Sequence, residues 1–418
     1  MSRVLSVLAA LPLFIATVAI AEPLSFDDAL KLAEVRSRAL PAKEASAAAA
    51  RQMAVAAGQR PDPVLTAGVN NLPVTTSDRF SLSRDFMTMR SIGVMQQLTR
   101  GSKLDARTAR FEREAEAAEA GRALALTELQ RETAMAWLDL YYLQRMTDVL
   151  LAQRDEARLQ IDAADAGYRG GRGSQAEVFA ARSAVEQLEN RLVDSRQQVA
   201  TARSQLARWI GSATAEALGP LPAMSEERLH EHALESELAA HPQIELMRRR
   251  EAVAVAEAEV ARSEKSPDVS VQLMYNQREP AFSNMISLNF SVPLQWNQAK
   301  LQDREVAAKL AVVEQLRNER EEATRSYMLD ASTLLQKKRS TGERMRRYDE
   351  TLVPLAVERT RASLAAYRGG GGSLASVLQA REAEVETRLD RIRLAMDEAR
   401  LWTQINFLLP IARPGVQP

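Results

Sequence analysis

The chain repeats itself at long range. Tyr168-Arg169-Gly170-Gly171-Arg172-Gly173-Ser174 recurs as Tyr367-Arg368-Gly369-Gly370-Gly371-Gly372-Ser373, an offset of 199 residues (367 minus 168). Val178, Ala181 and Arg182 recur at the same offset as Val377, Ala380 and Arg381. Ala39-Leu40-Pro41 pairs with Ala240-His241-Pro242, and Pro61-Asp62 with Pro267-Asp268, at the slightly longer offsets of 201 and 206. A period this long lies outside the range of short solenoid repeats. It implies a duplicated unit whose two copies pack side by side, with boundaries expected at residues 22–219 and 220–418.

Composition says what such a unit is built from. Aromatic residues make up 5% and charged residues 26%, with Ala, Glu, Arg, Gln and Leu dominant, which is the mixture of long helices in coiled-coil packing. Lys and Arg number 55 and Asp and Glu 55, so no charge bias points to nucleic acid. Cysteine is absent, which excludes a disulfide framework, a thiolate metal site and a cysteine nucleophile. Residues 1–21 read as a cleaved signal peptide: Arg3, an apolar run from Val4 to Ile20, and the small-x-small end Ala19-Ile20-Ala21. The run is shorter than the about 20 residues of a membrane-spanning helix and carries Pro12.

Each copy reads as helix, β-hairpin, long helix, glycine turn, return helix. In copy one a helix is expected over residues 26–59, with Pro41 inside it and Pro61 and Pro63 ending it. A β-hairpin over 63–98 follows, with strands at 64–69 and 86–98, then a helical hairpin over 102–211. In copy two the elements are a helix over 227–265, a β-hairpin over 268–294 and a helical hairpin over 299–409, with Pro354 expected to kink the long helix or shift its hydrogen-bond ladder. Val178, Ala181, Val185, Leu188, Leu192, Ser195, Val199, Ala202 and Leu206 step by three and four without a break, a coiled-coil seam. The copy-two strands, at 269–275 and 286–292, alternate apolar with mostly polar residues; copy one alternates less cleanly. Such a hairpin suits either a water-filled membrane barrel or a soluble sheet with one buried face. At 1.5 Å per residue each long helix spans about 100 Å, and two shorter helices end to end match it. Four strands cannot close a barrel, and an open edge cannot sit in lipid. Three chains would supply twelve strands, an even number within the known range.

With these features the chain resembles the TolC-like outer-membrane factor family over its whole expected mature length. The residues carrying the resemblance are the doubled turn pattern Tyr168, Arg169, Gly171, Ser174, Val178 and Tyr367, Arg368, Gly370, Ser373, Val377, the approaches Pro61-Asp62-Pro63 and Ser266-Pro267-Asp268, and the exit Val292-Pro293-Leu294. The resemblance implies a mainly α fold with a transmembrane β part: a homotrimeric, twelve-stranded β-barrel in the outer membrane of a Gram-negative bacterium, continuous with a periplasmic α-helical tunnel. It implies an exit duct of a tripartite efflux pump, no enzyme and no cofactor, working with a periplasmic adaptor (membrane fusion) protein and an inner-membrane transporter of the RND type. Many members carry a lipid on a cysteine; without one, this barrel is expected to hold the membrane unaided. Residues 81–90, with Ile92-Gly93-Val94-Met95-Gln96, look like the first hairpin of members serving heavy-metal efflux, which suggests copper, silver, zinc, cobalt or cadmium as cargo. Met87, Met89 and Met95 have the thioether chemistry for Cu(I), but at alternating strand positions they read first as lipid-facing or packing residues.

The resemblance places the glycine turns at the periplasmic tip, with Tyr168, Arg169, Gly170, Gly171, Gly173, Ser174, Val178, Tyr367, Arg368, Gly369, Gly370, Gly372, Ser373 and Val377 as the adaptor-docking set. Glycine alone suffices to reverse a chain; Tyr and Arg are not needed for that and are favoured at interfaces. Asp162 and Asp165 share a helix face before the first turn and would form carboxylate rings in a trimer, narrowing the tunnel in favour of cations, unless they are only a solvated acidic face. Copy two has Arg361 and Leu364 there, so the pair is not duplicated. His230 and His232 are too closely spaced to share a helix face and are read as solvated. No catalytic arrangement is visible, and neither glycine turn follows a strand as a phosphate loop would. The competing reading is a periplasmic coiled-coil adaptor or scaffold without a channel, which should show one hairpin flanked by β-rich domains rather than two.

Overall fold

The computed structural model describes residues 23–211, 217–224, 236 and 239–408. The expected signal peptide, His230 and His232, and most of the start of the expected 227–265 helix lie outside them.

Copy one begins with α1 (Phe26–Arg36) and α2 (Ala39–Ala57) where a single helix was expected. Ser25 caps α1, its hydroxyl accepting from the Asp28 N–H at 3.1 Å, with Asp27 and Asp28 in the first turn. The break falls four residues before Pro41, which has no N–H for the Ser37 carbonyl and would crowd it. Ser37 turns out of the helix (ψ 132°), and its hydroxyl accepts from Leu40 N–H at 3.4 Å. Strands β1 (Val64–Asn70) and β2 (Met89–Leu98) follow, then α3 (Gly101–Arg169) of 69 residues, about 100 Å long, and α4 (Gln175–Ile210).

Copy two supplies α5 (Pro242–Ser263), β3 (Val269–Gln277), β4 (Met285–Ser291), α6 (Gln302–Arg347), α7 (Val353–Arg368) and α8 (Leu374–Asn406). Between α6 and α7 the helix runs through one π-turn, Tyr348–Leu352. Pro354 cannot donate to the Glu350 carbonyl, and a single wider turn absorbs the missing bond without breaking the rod. Arg391 of α8 braces that turn by donating to both carboxylate oxygens of Asp349, at 2.8 and 3.0 Å.

Helix α3 is the spine. Its strand-side half lies between α2 and α5, and its far half packs against α4 and α8. The strand-side packing uses small residues: Ala47, Ala50 and Ala54 of α2 and Ala254, Ala258 and Ala261 of α5 are buried, as is Ala115 of α3. Ion pairs such as Arg122–Glu44 (2.6 Å) and Arg249–Glu116 (2.7 Å) border these seams. The largest apolar cluster is a belt at mid-rod around the fully buried Trp137. Phe26 meets Trp137 edge-on at 5.5 Å, and the Trp137 indole N–H donates to the Leu24 carbonyl at 3.2 Å. Leu24 also bridges Leu218, tying the start of copy one to the segment that joins the copies.

The two hairpins form one antiparallel sheet in the order β1-β2-β3-β4, joined across copies by β2 and β3. Strands β1 and β4 end the sheet, each with one unpaired edge within the chain.

Candidate functional site

The functional geometry lies at the two ends of the rod. At the sheet end, register sorts the strand residues onto two unlike faces. One face carries the rows Leu65–Val94–Leu273–Leu288, Ala67–Ile92–Tyr275–Ile286 and Val271–Phe290. This apolar face is open: Leu65 is 70% exposed, Ile286 75% and Phe290 67%. The opposite face carries Thr66, Gly68, Ser91, Gln97, Ser270, Gln272, Asn276, Ser287, Asn289 and Ser291. There Ser91 is 7% and Asn276 4% exposed. Side chains bridge strands across this face: Asn70 donates to Ser91 Oγ at 3.0 Å, Asn276 to Ser287 Oγ at 2.8 Å, and Gln272 reaches over β2 to Thr66 Oγ1 at 3.2 Å. A water-soluble sheet would cover its apolar face and expose the polar one; here the order is inverted. Leu294 and Trp296, just past β4, are 68% and 88% exposed, an apolar and aromatic rim below the apolar band. Met89 and Met95 sit on the polar face, where the packing half of the expected lipid-facing or packing role applies; Met87 precedes β2.

Where sheet meets helices, Lys103 is buried and binds Glu264 at 2.8 Å and Asp268 at 3.2 Å, and Glu264 also receives Arg107 at 2.7 Å. Gln97 of β2 donates to Asp268 at 2.9 Å. Burial would raise both acids, but hydrogen bonds from Lys103 and Arg107 to Glu264, and from Lys103 and Gln97 to Asp268, hold each below its ordinary value. Copy one thereby supplies the cation and copy two the anions that fix the angle between sheet and rod.

At the other end the two glycine turns share one geometry. Gly170 N–H donates to Ala166 O at 3.0 Å, and both Arg172 and Gly173 donate to Gly167 O. In copy two Gly369 donates to Ala365 O at 2.9 Å, and Gly371 and Gly372 to Ala366 O. Gly171 (φ 69°) and Gly370 (φ 78°) take the left-handed conformation that reverses the chain. Ser174 and Ser373 cap the return helices, Ser174 in a capping box with Glu177.

The sequence-derived residues divide here. Val178 and Val377 are buried with Ala164, Ala181 and Leu374 in a small core that joins the turns of both copies. Tyr367 packs against that core, whereas Tyr168 is 49% exposed. Arg169, Arg368, Gly170, Gly369, Ser174 and Ser373 are exposed, and Gly173 and Gly372 are half-buried. Asp165 pairs with Arg182 of α4 at 3.6 Å, while Asp162 is exposed, so the two carboxylates differ in partner although they share a helix. Sequence reading missed Phe179, 58% exposed beside buried Val178; an apolar residue one step off the α4 seam was its signal. It also missed a groove of about 880 Å³ between α3, α4 and α8, lined by Gln153, Gln160, Leu188, Arg191, Leu378 and Glu382. Cross-copy ion pairs Arg381–Glu156 and Arg191–Glu386 border it.

A spine of one long helix, two helical hairpins and a four-stranded sheet with an open apolar face make up a fold that solved outer-membrane channels share. Solved structures agree. The outer-membrane channel OprN shares 16% identity, with 92% of this chain and 89% of that chain covered and a TM-score of 0.77. CusC shares 14% identity over 92% of each chain with a TM-score of 0.78. VceC from Vibrio cholerae shares 16% identity, over 92% of this chain and 95% of its own, with a TM-score of 0.73. Residues 29–212 match the outer membrane efflux protein family, and the resemblance read from the sequence holds. No curated protein matches the chain in sequence. No described helix is long and apolar enough to cross a membrane.

Proposed function

We propose that the protein is the outer-membrane exit duct of a tripartite efflux pump, a homotrimer whose three sheets close a twelve-stranded barrel continuous with a periplasmic tunnel of α-helices. The observation that carries this reading is the inverted sheet: an open apolar face, a polar face opposite, and two unpaired edges that another copy would satisfy. The duct is passive and draws its cargo from the periplasm or from an inner-membrane transporter of the RND type. An adaptor protein docks at the tip, on Tyr168, Arg169, Arg368 and Phe179 and in the groove beside them. Docking opens the tip by loosening the small core under the turns. Heavy-metal cations are the cargo class supported by the first hairpin's resemblance.

The test is extraction of the mature protein from outer membranes in detergent, mass by light scattering, then conductance in a planar bilayer. A trimer that conducts is expected; a soluble periplasmic monomer would sink the barrel and favour a coiled-coil scaffold. Tyr168→Ala should weaken adaptor binding or raise passive leak, and unchanged docking together with unchanged conductance would remove Tyr168 from that role.

A further inference from the structure

The methionines of the sheet are segregated. Leu, Ile, Tyr and Phe in the strands all stand on the apolar face, and Val64 is the one valine that does not. The four strand methionines, Met89, Met95, Met274 and Met285, all stand on the polar face, among Ser, Thr, Asn, Gln and Gly. Lipid contact does not explain them, since none stands on the apolar face. Their positions are ordered as well. Met95 on β2 lies opposite Gln272, and Met274 is two residues further along β3. Met274 lies opposite Ser287, and Met285 is two residues before Ser287 on the antiparallel β4, opposite Asn276. Each step is the diagonal neighbour of the last, about 7–8 Å apart and within reach of long side chains.

Local packing leaves room for Met274 on this face. It lies opposite Gly93, whose missing side chain makes the room: a Cβ there would sit 2.6 Å from Met274 Cγ and 2.6 Å from the Leu273 carbonyl oxygen. Met274 Sδ lies 3.9 Å from the Asn289 amide nitrogen, in the row that also holds Gln272 and Met95. Met285 is 45% exposed at the far end of the staircase.

We infer that Met95, Met274 and Met285 form a thioether staircase on the inner wall of the duct that transiently binds a soft monovalent cation, Cu(I) or Ag(I). The inference rests on the duct reading, which makes the polar face the inner wall and repeats the staircase three times. Thioether sulfur is a soft ligand that favours Cu(I) over hard cations. No carboxylate, histidine or cysteine stands on the strand positions of this face, so the wall offers harder metals little beyond neutral amide and hydroxyl oxygens. Sites of few neutral ligands at short intervals hold an ion weakly enough to pass it on, as conduction requires.

The experiment uses the detergent-solubilised full chain, with silver nitrate in chloride-free buffer as the probe. Binding is followed by titration calorimetry and the ligand atoms by silver-edge X-ray absorption. Wild type should bind silver through sulfur, and the triple variant Met95→Leu, Met274→Leu, Met285→Leu should bind about tenfold or more weakly, because leucine keeps the volume and removes the sulfur. A control with Met135→Leu and Met146→Leu in α3 should bind as wild type. Conductance in planar bilayers checks that each variant still forms the pore, and single variants replace the triple one if it does not assemble. A conducting wild type that binds no silver, or a triple variant that binds as tightly as wild type, overturns the staircase and leaves the duct standing. A non-conducting soluble monomer overturns the duct and the inner wall with it.

Discussion

Lys103 is one cation among two buried or half-buried carboxylates and a neighbouring arginine, with 3% of its side chain exposed. Lys103→Met would leave Glu264 and Asp268 without their main partner. Removing one member of a buried ion pair costs about 3–5 kcal/mol, and the low end applies because Glu264 keeps some water and Arg107. Thermal unfolding of the detergent-extracted protein should show that loss. The folded-state values of Glu264 and Asp268 lie below their ordinary ones. Their contribution is therefore present above the unfolded carboxylate range and disappears as pH falls through the folded values. In the variant this acid-dependent loss should shrink. His241 has a separate acid dependence. Its Nδ1 accepts from the Gln243 N–H at 3.1 Å and caps α5, and its ring lies 4.5 Å from that of Tyr327. Burial, with Arg131 as a second cause, lowers it to about 4. The unfolded chain then binds the proton first, so stability falls as pH drops from about 6.5 toward 4. His241→Asn keeps a capping side chain and removes the titration; its unfolding midpoint should stay flatter than wild type across that window.

At the level of elements, the tip turns show how similar glycines differ in what they must be. A Cβ on Gly372 would lie 3.0 Å from Tyr367 N and 3.2 Å from Ala366 C, backbone that cannot step aside, whereas one on Gly371 meets only Ala366 O at 4.0 Å. Gly372→Ala is expected to strain the turn by about 1–3 kcal/mol, and Gly371→Ala to be nearly neutral. Hydrogen exchange of the tip amides would separate them, and equal protection in both variants would contradict the geometry. The long helices follow the same logic. A helix of 69 residues persists in α3 because it contains no proline, while α6 and α7 need a π-turn beside Pro354.

For the whole molecule, the two faces of the sheet predict opposite responses to the same charge. Leu288, 56% exposed, stands on the apolar face and Ser287 beside it on the polar face. Leu288→Lys should cost about 2–4 kcal/mol of barrel insertion if the residue lies near the bilayer midplane. Ser287→Lys should insert normally and change ion selectivity instead. Folding yield into lipid vesicles reads the first effect and reversal potentials the second; equal insertion of both variants would argue against a lipid-facing apolar side.

The duplication, the order helix, hairpin, long helix, turn and return helix, and the proline-set boundaries were legible in the sequence because they depend on local rules: periodicity, capping and the missing proline N–H. The copy-two strands were legible for the same reason, since their alternation matches the pleat. Three features depended on distant parts of the chain. Which way Met89 and Met95 face is decided by strand register, because one residue of slip exchanges the two sides of a sheet. Burial of Val178 and Val377, and exposure of Tyr168 but not Tyr367, come from the meeting of two tips separated by 199 residues in sequence. The Lys103 junction and the groove between α3, α4 and α8 likewise join residues of different copies. Local pattern determines which elements form, whereas the packing of one copy against the other decides which side chains are buried and which are left exposed.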